Sequence, residues 1–297
     1  MDDPERRLTL LPRARKFLRN AVADVRSCPR LADKLAVATA DAARVLTTTI
    51  NGAGAALGRP TDLIPSSVFP LRDVTIVNED GHFWCRRRTS DYAVVRPDYE
   101  RSLRGLFTLE RGVFVDVGAH IGKYGVMVGR QLSSRGRVIA IEPDPQNFSV
   151  LSRNIRANAL ANVTAVNVAC GDLDGEAILH RDPHDPIKHS IRADVGPGVK
   201  VGVRRLDSLL GELGVSVVDL LKLDAEGMEV PVLRGAQETL RRSPDIRIIV
   251  EAENDEPLEF LRAHDFMLER THHYFGVSGW YYLATRKRSE LRALATA

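Results

Sequence analysis

The chain is 297 residues long, 44% hydrophobic and 27% charged, with a formal net charge of +3. That composition fits a globular protein with one large domain, or a domain plus an extension. Cys28, Cys85 and Cys170 are widely spaced and lack metal-ligand spacing, which argues against a disulfide framework and for a reducing compartment.

No uncharged apolar run reaches membrane-spanning length. The start, Met1-Asp2-Asp3-Pro4-Glu5, is acidic rather than basic-then-apolar, so no secretory signal is read and a cytoplasmic location is expected. Charge is uneven: residues 1–59 hold 11 Lys+Arg against 6 Asp+Glu, so the basic excess lies there and the remainder is slightly acidic.

In chain order, residues 7–26 place Leu8, Leu11, Leu18, Val22 and Val25 at helical spacing, with Arg13, Lys16, Arg19 and Arg26 elsewhere on the cylinder. Residues 31–57 are Ala-rich and read as one helix, or as two broken near Asn51-Gly52. Residues 1–60 are thus expected to form a basic helical extension. Such an arm packs on the core or on a second subunit, binds a partner, or lies on a membrane surface and makes the protein peripheral to the membrane; basic amphipathic helices serve all these uses.

Residues 61–110 are expected to carry a hairpin (73–77 with 82–88, turning at Asp80-Gly81) and a short helix over 100–110. Residues 111–288 read as a doubly wound α/β domain. Strands are predicted near 113–117, 137–142, 163–168, 217–223 and 246–251, with helices near 122–133, 145–157, 229–242 and 256–263. The strands are continuous apolar runs, as in a parallel sheet buried on both faces. Two extra strands, 176–180 and 199–203, form an insertion expected to shape the second substrate's pocket. Strands 266–271 and 280–285 close the chain.

The motif that discriminates ligands is Val115-Asp116-Val117-Gly118-Ala119-His120-Ile121-Gly122. A dinucleotide turn reads G-x-G-x-x-G and seats a pyrophosphate on the next helix. An acid at the strand end would repel that group. S-adenosylmethionine carries no phosphate, and its ammonium suits Asp116, directly or through water. Gly118 would let the backbone approach closely, Gly122 would start the helix tightly, and His120 lies in the same loop.

Glu142 ends the second strand, where an acid accepts hydrogen bonds from both ribose hydroxyls. Asp172, after Ala169-Cys170-Gly171, either accepts from the adenine amino group or serves as a turn residue. Asp224 and Glu226 follow the fourth strand; they either bind or deprotonate a substrate hydroxyl, or cap the following helix. His189, in the insertion, is a candidate base on a loop, and His272, His273 and Tyr274 form a polar cluster. No metal motif is read.

Val115 to Gly122, Glu142-Pro143 and Leu221-Lys222-Leu223-Asp224-Ala225-Glu226-Gly227-Met228-Glu229 together resemble the FkbM family of S-adenosylmethionine-dependent methyltransferases, over roughly residues 110–270. His120 stands where that family commonly has Asn, and Tyr124-Gly125 where it often has Tyr-Ser. The resemblance implies a class I methyltransferase fold (Rossmann-like, seven-stranded, mostly parallel), S-adenosyl-L-methionine as cofactor, and O-methylation of a hydroxyl on a sugar, glycolipid or polyketide-type product. N-methylation of a protein or amine, or a non-catalytic nucleoside-binding scaffold, are the alternatives. Asp224-Ala225-Glu226-Gly227 is not the Pro-Pro-aromatic pattern of base methylases, and no basic patch with interleaved aromatics is present, so a nucleic-acid partner is not expected.

Overall fold

The structure, a computed structural model, describes residues 19–56, 70–181, 189–190, 198–271 and 280–287. The chain divides into two compact units, Met1–Tyr99 and Glu100–Ala297.

In the first unit, helix α1 spans 19–26 and α2 spans Leu31–Ala56 without a break at Asn51-Gly52. Strands β1 (Val74–Asn78) and β2 (Gly81–Cys85) pair antiparallel, and α3 (Asp91–Val94) follows. The hairpin turns over Asn78-Glu79-Asp80-Gly81, between the two strands expected from the sequence. Asn78 pairs with Gly81, so Glu79-Asp80 is the two-residue loop. The Asn78 side chain accepts from the amides of Asp80 (2.9 Å) and Gly81 (3.2 Å), an Asx turn that fixes this register.

A buried polar cluster ties the two helices to the segment after β2. The Arg96 guanidinium lies 3.2 Å from Asp24 and 2.9 Å from Asp98, and the Tyr92 hydroxyl sits 3.0 Å from both Asp24 and Asp41. Burial pushes the Asp24 carboxyl up to about 6 against the pull of Arg96.

The second unit opens with a 3-10 helix, Arg101–Phe107, where 100–110 suggests a helix. Then come β3 (Gly112–Val117), α4 (Lys123–Leu132), β4 (Gly136–Ile141), α5 (Pro145–Ala157), β5 (Val163–Val166), β6 (Ala169–Gly171), β7 (Gly175–Arg181), β8 (His189–Ser190), β9 (Gly198–Arg205), α6 (Leu206–Glu212), β10 (Leu220–Leu223), α7 (Glu229–Gly235), α8 (Gln237–Arg242), β11 (Arg247–Ala252), α9 (Glu256–Ala263), β12 (Met267–Arg270) and β13 (Trp280–Thr285). Seven strands form one sheet in the order β12-β13-β11-β10-β3-β4-β5, and β13 alone runs against the rest. This is the mostly parallel, Rossmann-like class I methyltransferase arrangement expected from the sequence.

Strand alternation sorts the core into two faces. Val115, Val117, Ile139, Ile141, Leu221 and Val250 pack on α6 to α9. Phe114, Val138, Ala140, Leu220 and Ile249 pack on α4, α5 and the 3-10 helix. Both faces are covered, which is why the strands read as unbroken apolar runs.

Two expectations change. The third strand ends at Val166, and Ala169–Gly171 leaves the main sheet to become β6 of a separate four-stranded sheet, order β6-β9-β7-β8. Asn167 marks the departure: its side-chain amide donates to the carbonyls of Glu142 (2.8 Å) and Pro143 (3.0 Å). The helix expected over 229–242 is split at Ala236. Asp207 of α6 accepts from the amides of Glu238 (3.1 Å) and Thr239 (2.8 Å), which restarts the helix as α8. Among the described residues, no helix is long and apolar enough to cross a membrane.

The start of α5 is fixed by Asp144, whose carboxylate accepts from the amides of Gln146 (2.7 Å) and Asn147 (3.0 Å), with Pro145 opening the helix. Asp144→Ala is expected to lower stability by about 1 kcal/mol. In a thermal melt this corresponds to a fall of about 2–4 °C.

Candidate functional site

Strands β3 and β10 are neighbours, yet the helices that follow them pack on opposite faces of the sheet. The chain therefore diverges at the carboxyl ends of these two strands and opens a crevice. A cleft of about 720 Å³, open to solvent, lies there.

Glycine permits the two strand ends to approach. Gly118 has φ +78°, and a Cβ on it would sit 1.8 Å from the Asp224 carbonyl oxygen. The loop then turns through His120 (φ +49°) and Gly122 (φ +91°), both left-handed. A Cβ on Gly122 would lie 2.6 Å from the Leu151 side chain, so its tight partner is α5 rather than the strand.

One wall is built on Glu142. Its carboxylate accepts from the His120 amide (2.8 Å), the Asp144 amide (3.0 Å) and the Asn147 side chain (3.4 Å). Burial nevertheless pushes its pKa up to about 7.

The opposite wall is the loop after β10. Glu226 (φ +49°) and Gly227 (φ +90°) are both left-handed. Glu229 folds this loop by accepting from the amides of Ala225 (3.0 Å) and Gly227 (3.2 Å). Asp224 and Glu226 line the cleft with Gly118, His120, Glu142 and Asn147, and Val168, Leu179 and Met228 add apolar surface. Among the described lining residues, the ionisable acids are Glu142, Asp224 and Glu226, and no Lys or Arg is present.

Beneath the cleft lies a cation. Lys222, 3% exposed along its side chain, places its ammonium 2.8 Å from Asp224, 3.3 Å from the Gly118 carbonyl and 3.8 Å from Asp116. Its pKa is raised: burial opposes the charge, but Asp224 and Asp116 outweigh it. Asp224 is held below the usual carboxylate range; burial acts against this, and Lys222 supplies the largest favourable effect. The Tyr281 hydroxyl bridges Glu100 (3.0 Å), Asp224 (3.3 Å) and Glu251 (3.4 Å), and Tyr124 donates to the other Glu100 oxygen. Burial and the Asp224 charge drive Glu251 strongly upward, so Glu251 is the protonated member of that carboxyl pair.

The site residues read from the sequence fall into three groups. Gly118, His120, Glu142, Asp224 and Glu226 converge on the cleft. Asp116 does not reach its wall. It is 1% exposed and sits under the floor, because alternation along β3 turns it towards α4, in register with Lys222. Burial pushes its carboxyl up to about 6 although Lys222 pulls the other way.

Asp172 is exposed, in the bend between β6 and β7, and is not part of the lining; Cys170 is. His189 pairs through its backbone with Arg181 in β8, and its side chain lies outside the described residues, as do His272, His273 and Tyr274. Glu100, Tyr124, Glu251 and Tyr281 come together from distant segments with no local signal. Lys222 had one: a lone charge inside the apolar run Leu220-Leu221-Lys222-Leu223.

Residues 116–274 match the sequence model of the methyltransferase FkbM domain. The chain belongs to the FkbM methyltransferase family. The family's relatives include "Methyltransferase sdnD" of Sordaria araneosa, 32% identical over 156 residues, covering 42% of this chain and 60% of that protein. "Methyltransferase 1" of Beauveria bassiana is 30% identical over 142 residues, covering 41% and 57%. "2-O-methyltransferase NoeI" of Sinorhizobium fredii is 27% identical over 150 residues, covering 44% and 60%. The chain thus spans 57–60% of the length of these curated relatives. A solved FkbM methyltransferase from Methylobacillus flagellatus is 22% identical, with a TM-score of 0.46 over 64% of this chain and 47% of that one.

Glu142 and Asp116 both bind protons in the folded protein at a pH where the unfolded chain has already lost them. Their burial therefore costs stability above about pH 7 and pH 6 respectively, and the cost fades as pH falls towards the ordinary carboxylate range. A carboxyl-carbon NMR titration of the ligand-free protein is expected to place Glu142 at about 7 and Asp116 at about 6. Ordinary carboxylate values for both would contradict this reading of their burial.

Proposed function

We propose that this chain is an S-adenosyl-L-methionine-dependent methyltransferase that methylates a hydroxyl group on a sugar, glycolipid or secondary-metabolite acceptor. The observation that carries the reading is a cleft at the β3/β10 divergence whose charged lining, among the described residues, is carboxylates. A phosphate-bearing nucleotide would meet repulsion there, whereas a ligand with an ammonium, a sulfonium and two ribose hydroxyls meets complementary groups. Family membership supports methyl transfer, and the similarity to NoeI, a 2-O-methyltransferase, supports a hydroxyl acceptor.

Each residue then has a role set by its position. Glu142 would hold the ribose; its backbone partners leave lone pairs for two hydroxyl donors. Gly118 and the His120 loop would form the close backbone edge of the donor pocket. Asp116 is too deeply buried to touch the donor. Its part is to hold Lys222, which in turn keeps Asp224 ionised. Bound in this cleft, the donor supplies a methyl group made electrophilic by its sulfonium.

Asp224 would accept the proton of the acceptor hydroxyl, and Glu226 would bind a neighbouring acceptor group. A carboxylate of low basicity suffices for that transfer, because a hydroxyl becomes a strong acid as its oxygen is alkylated. Fixing acceptor and donor in line supplies the larger part of the acceleration.

The test is incubation with radiolabelled S-adenosylmethionine and fractionated host extract. Label is expected in glycan, lipid or small-molecule fractions as a base-stable ether. Label confined to protein or RNA would refute the hydroxyl acceptor. With the acceptor in hand, Asp224→Asn is expected to lower kcat about a hundredfold or more, with little change in S-adenosylhomocysteine affinity. Unchanged turnover would remove Asp224 from the chemistry.

A further inference from the structure

Helix α2 is inverted relative to an ordinary surface helix. Its inward face carries Asp33, Val37, Ala40 and Asp41, all buried. The opposite side of the cylinder carries Leu31, Leu35, Val45 and Leu46, which are 73%, 60%, 40% and 61% exposed. Helical periodicity puts these four on one stripe, with Ala38 and Ala42 between them. A helix with a single buried face normally turns charged residues to water. Here the charged acids go inward and leucines go outward. From Leu31 to Leu46 the stripe runs about 22 Å at the rise of an α-helix.

Charge is sorted by the same rule. Among residues 19–47 the acids are Asp24, Asp33 and Asp41, which are 4%, 2% and 2% exposed. Each is engaged inside: Asp24 with Arg96, Asp33 with the Thr75 amide, and Asp41 with Tyr92 and Arg44. The exposed charges of the same stretch are Arg19, Arg26 and Arg30, and half-buried Lys34 flanks the leucine stripe. On α1, Val22 is 50% exposed between Arg19 and Arg26. The outward surface of the two helices is therefore apolar and cationic, with no exposed acid.

From this we infer that α1 and α2 dock the protein on an anionic membrane surface, leucines in the headgroup boundary and arginines on lipid phosphates. Apolar burial and attraction to anionic lipid act together in interfacial helices. A second copy of the chain fits less well. An isologous pair would bring a surface of a single charge sign against itself, with no acid to neutralise it. The inference does not depend on the chemistry assigned to the cleft.

The experiment is co-sedimentation of the full chain with vesicles of phosphatidylcholine and phosphatidylglycerol in equal parts, and with phosphatidylcholine alone. Binding is expected to the anionic vesicles, to weaken with added salt, and to be much weaker on the neutral ones. The triple variant Leu31→Ser, Leu35→Ser, Leu46→Ser and the double variant Arg19→Glu, Arg26→Glu are each expected to lose about tenfold or more in affinity. These positions are solvent-facing, and circular dichroism checks that both variants stay folded. Equal binding to neutral vesicles, no binding to either, or undiminished binding by folded variants would overturn the inference. So would a dimer in light scattering that the leucine variant dissociates while the parent ignores vesicles.

Discussion

A single buried ammonium holds the carboxylates under the cleft together. Lys222 is aligned in the sheet with Asp116, and its side chain reaches past the end of β10 to Asp224 and the Gly118 carbonyl. Asp116, Asp224, Glu251 and Glu100 crowd this end of the sheet, the last three linked by the Tyr281 and Tyr124 hydroxyls. Four crowded carboxyls, Asp116 and Glu100 buried and Asp224 and Glu251 half-buried, cannot all ionise in so small a volume. The arrangement stands because Lys222 hydrogen-bonds Asp224 and attracts Asp116 from 3.8 Å, Glu251 keeps its proton, and the two tyrosines donate to Glu100. Removing the cation would leave uncompensated buried charge, the costliest way to disrupt such a cluster.

The two walls of the cleft reach negative charge by different routes. Glu142 is held by backbone amides of the glycine loop and of the α5 start, so its position depends on the left-handed His120 and on the Asp144 cap. Asp224 is held by a side-chain cation, and the loop beyond it by Glu229. The first wall is rigid and local in sequence. The second depends on groups from β11, β13 and the segment before the 3-10 helix.

Legibility in the sequence followed the same division. Helices α5 and α9 were readable to the residue, because Asp144-Pro145 and Glu256-Pro257 mark their starts. The apolar runs and the βα alternation gave the central strands of a doubly wound sheet, and the seven-stranded class came from the family resemblance. The place of Glu142 and Gly118 on the cleft was readable because both stand at strand ends in short contiguous motifs. The hairpin over 73–77 and 82–88 was readable from its Asn78-Glu79-Asp80-Gly81 turn, and the Asn78 side chain fixes the register. The departure of Ala169–Gly171 into a second sheet and the break at Ala236 both come from side chains reaching across the fold, those of Asn167 and Asp207. Asp116 looked like a ligand contact because it stands at the strand end; only the alternation of β3 against α4 shows it is buried. Glu100 and Tyr281 meet across 181 positions of chain, which no local pattern encodes.

The account rests on a cleft that takes a cationic nucleoside and rejects a phosphorylated one. Isothermal titration of the full chain with S-adenosylhomocysteine and, separately, with NAD tests this most directly. The account predicts one-to-one binding of S-adenosylhomocysteine and no detectable heat with NAD. Binding of NAD with no binding of S-adenosylhomocysteine would contradict it.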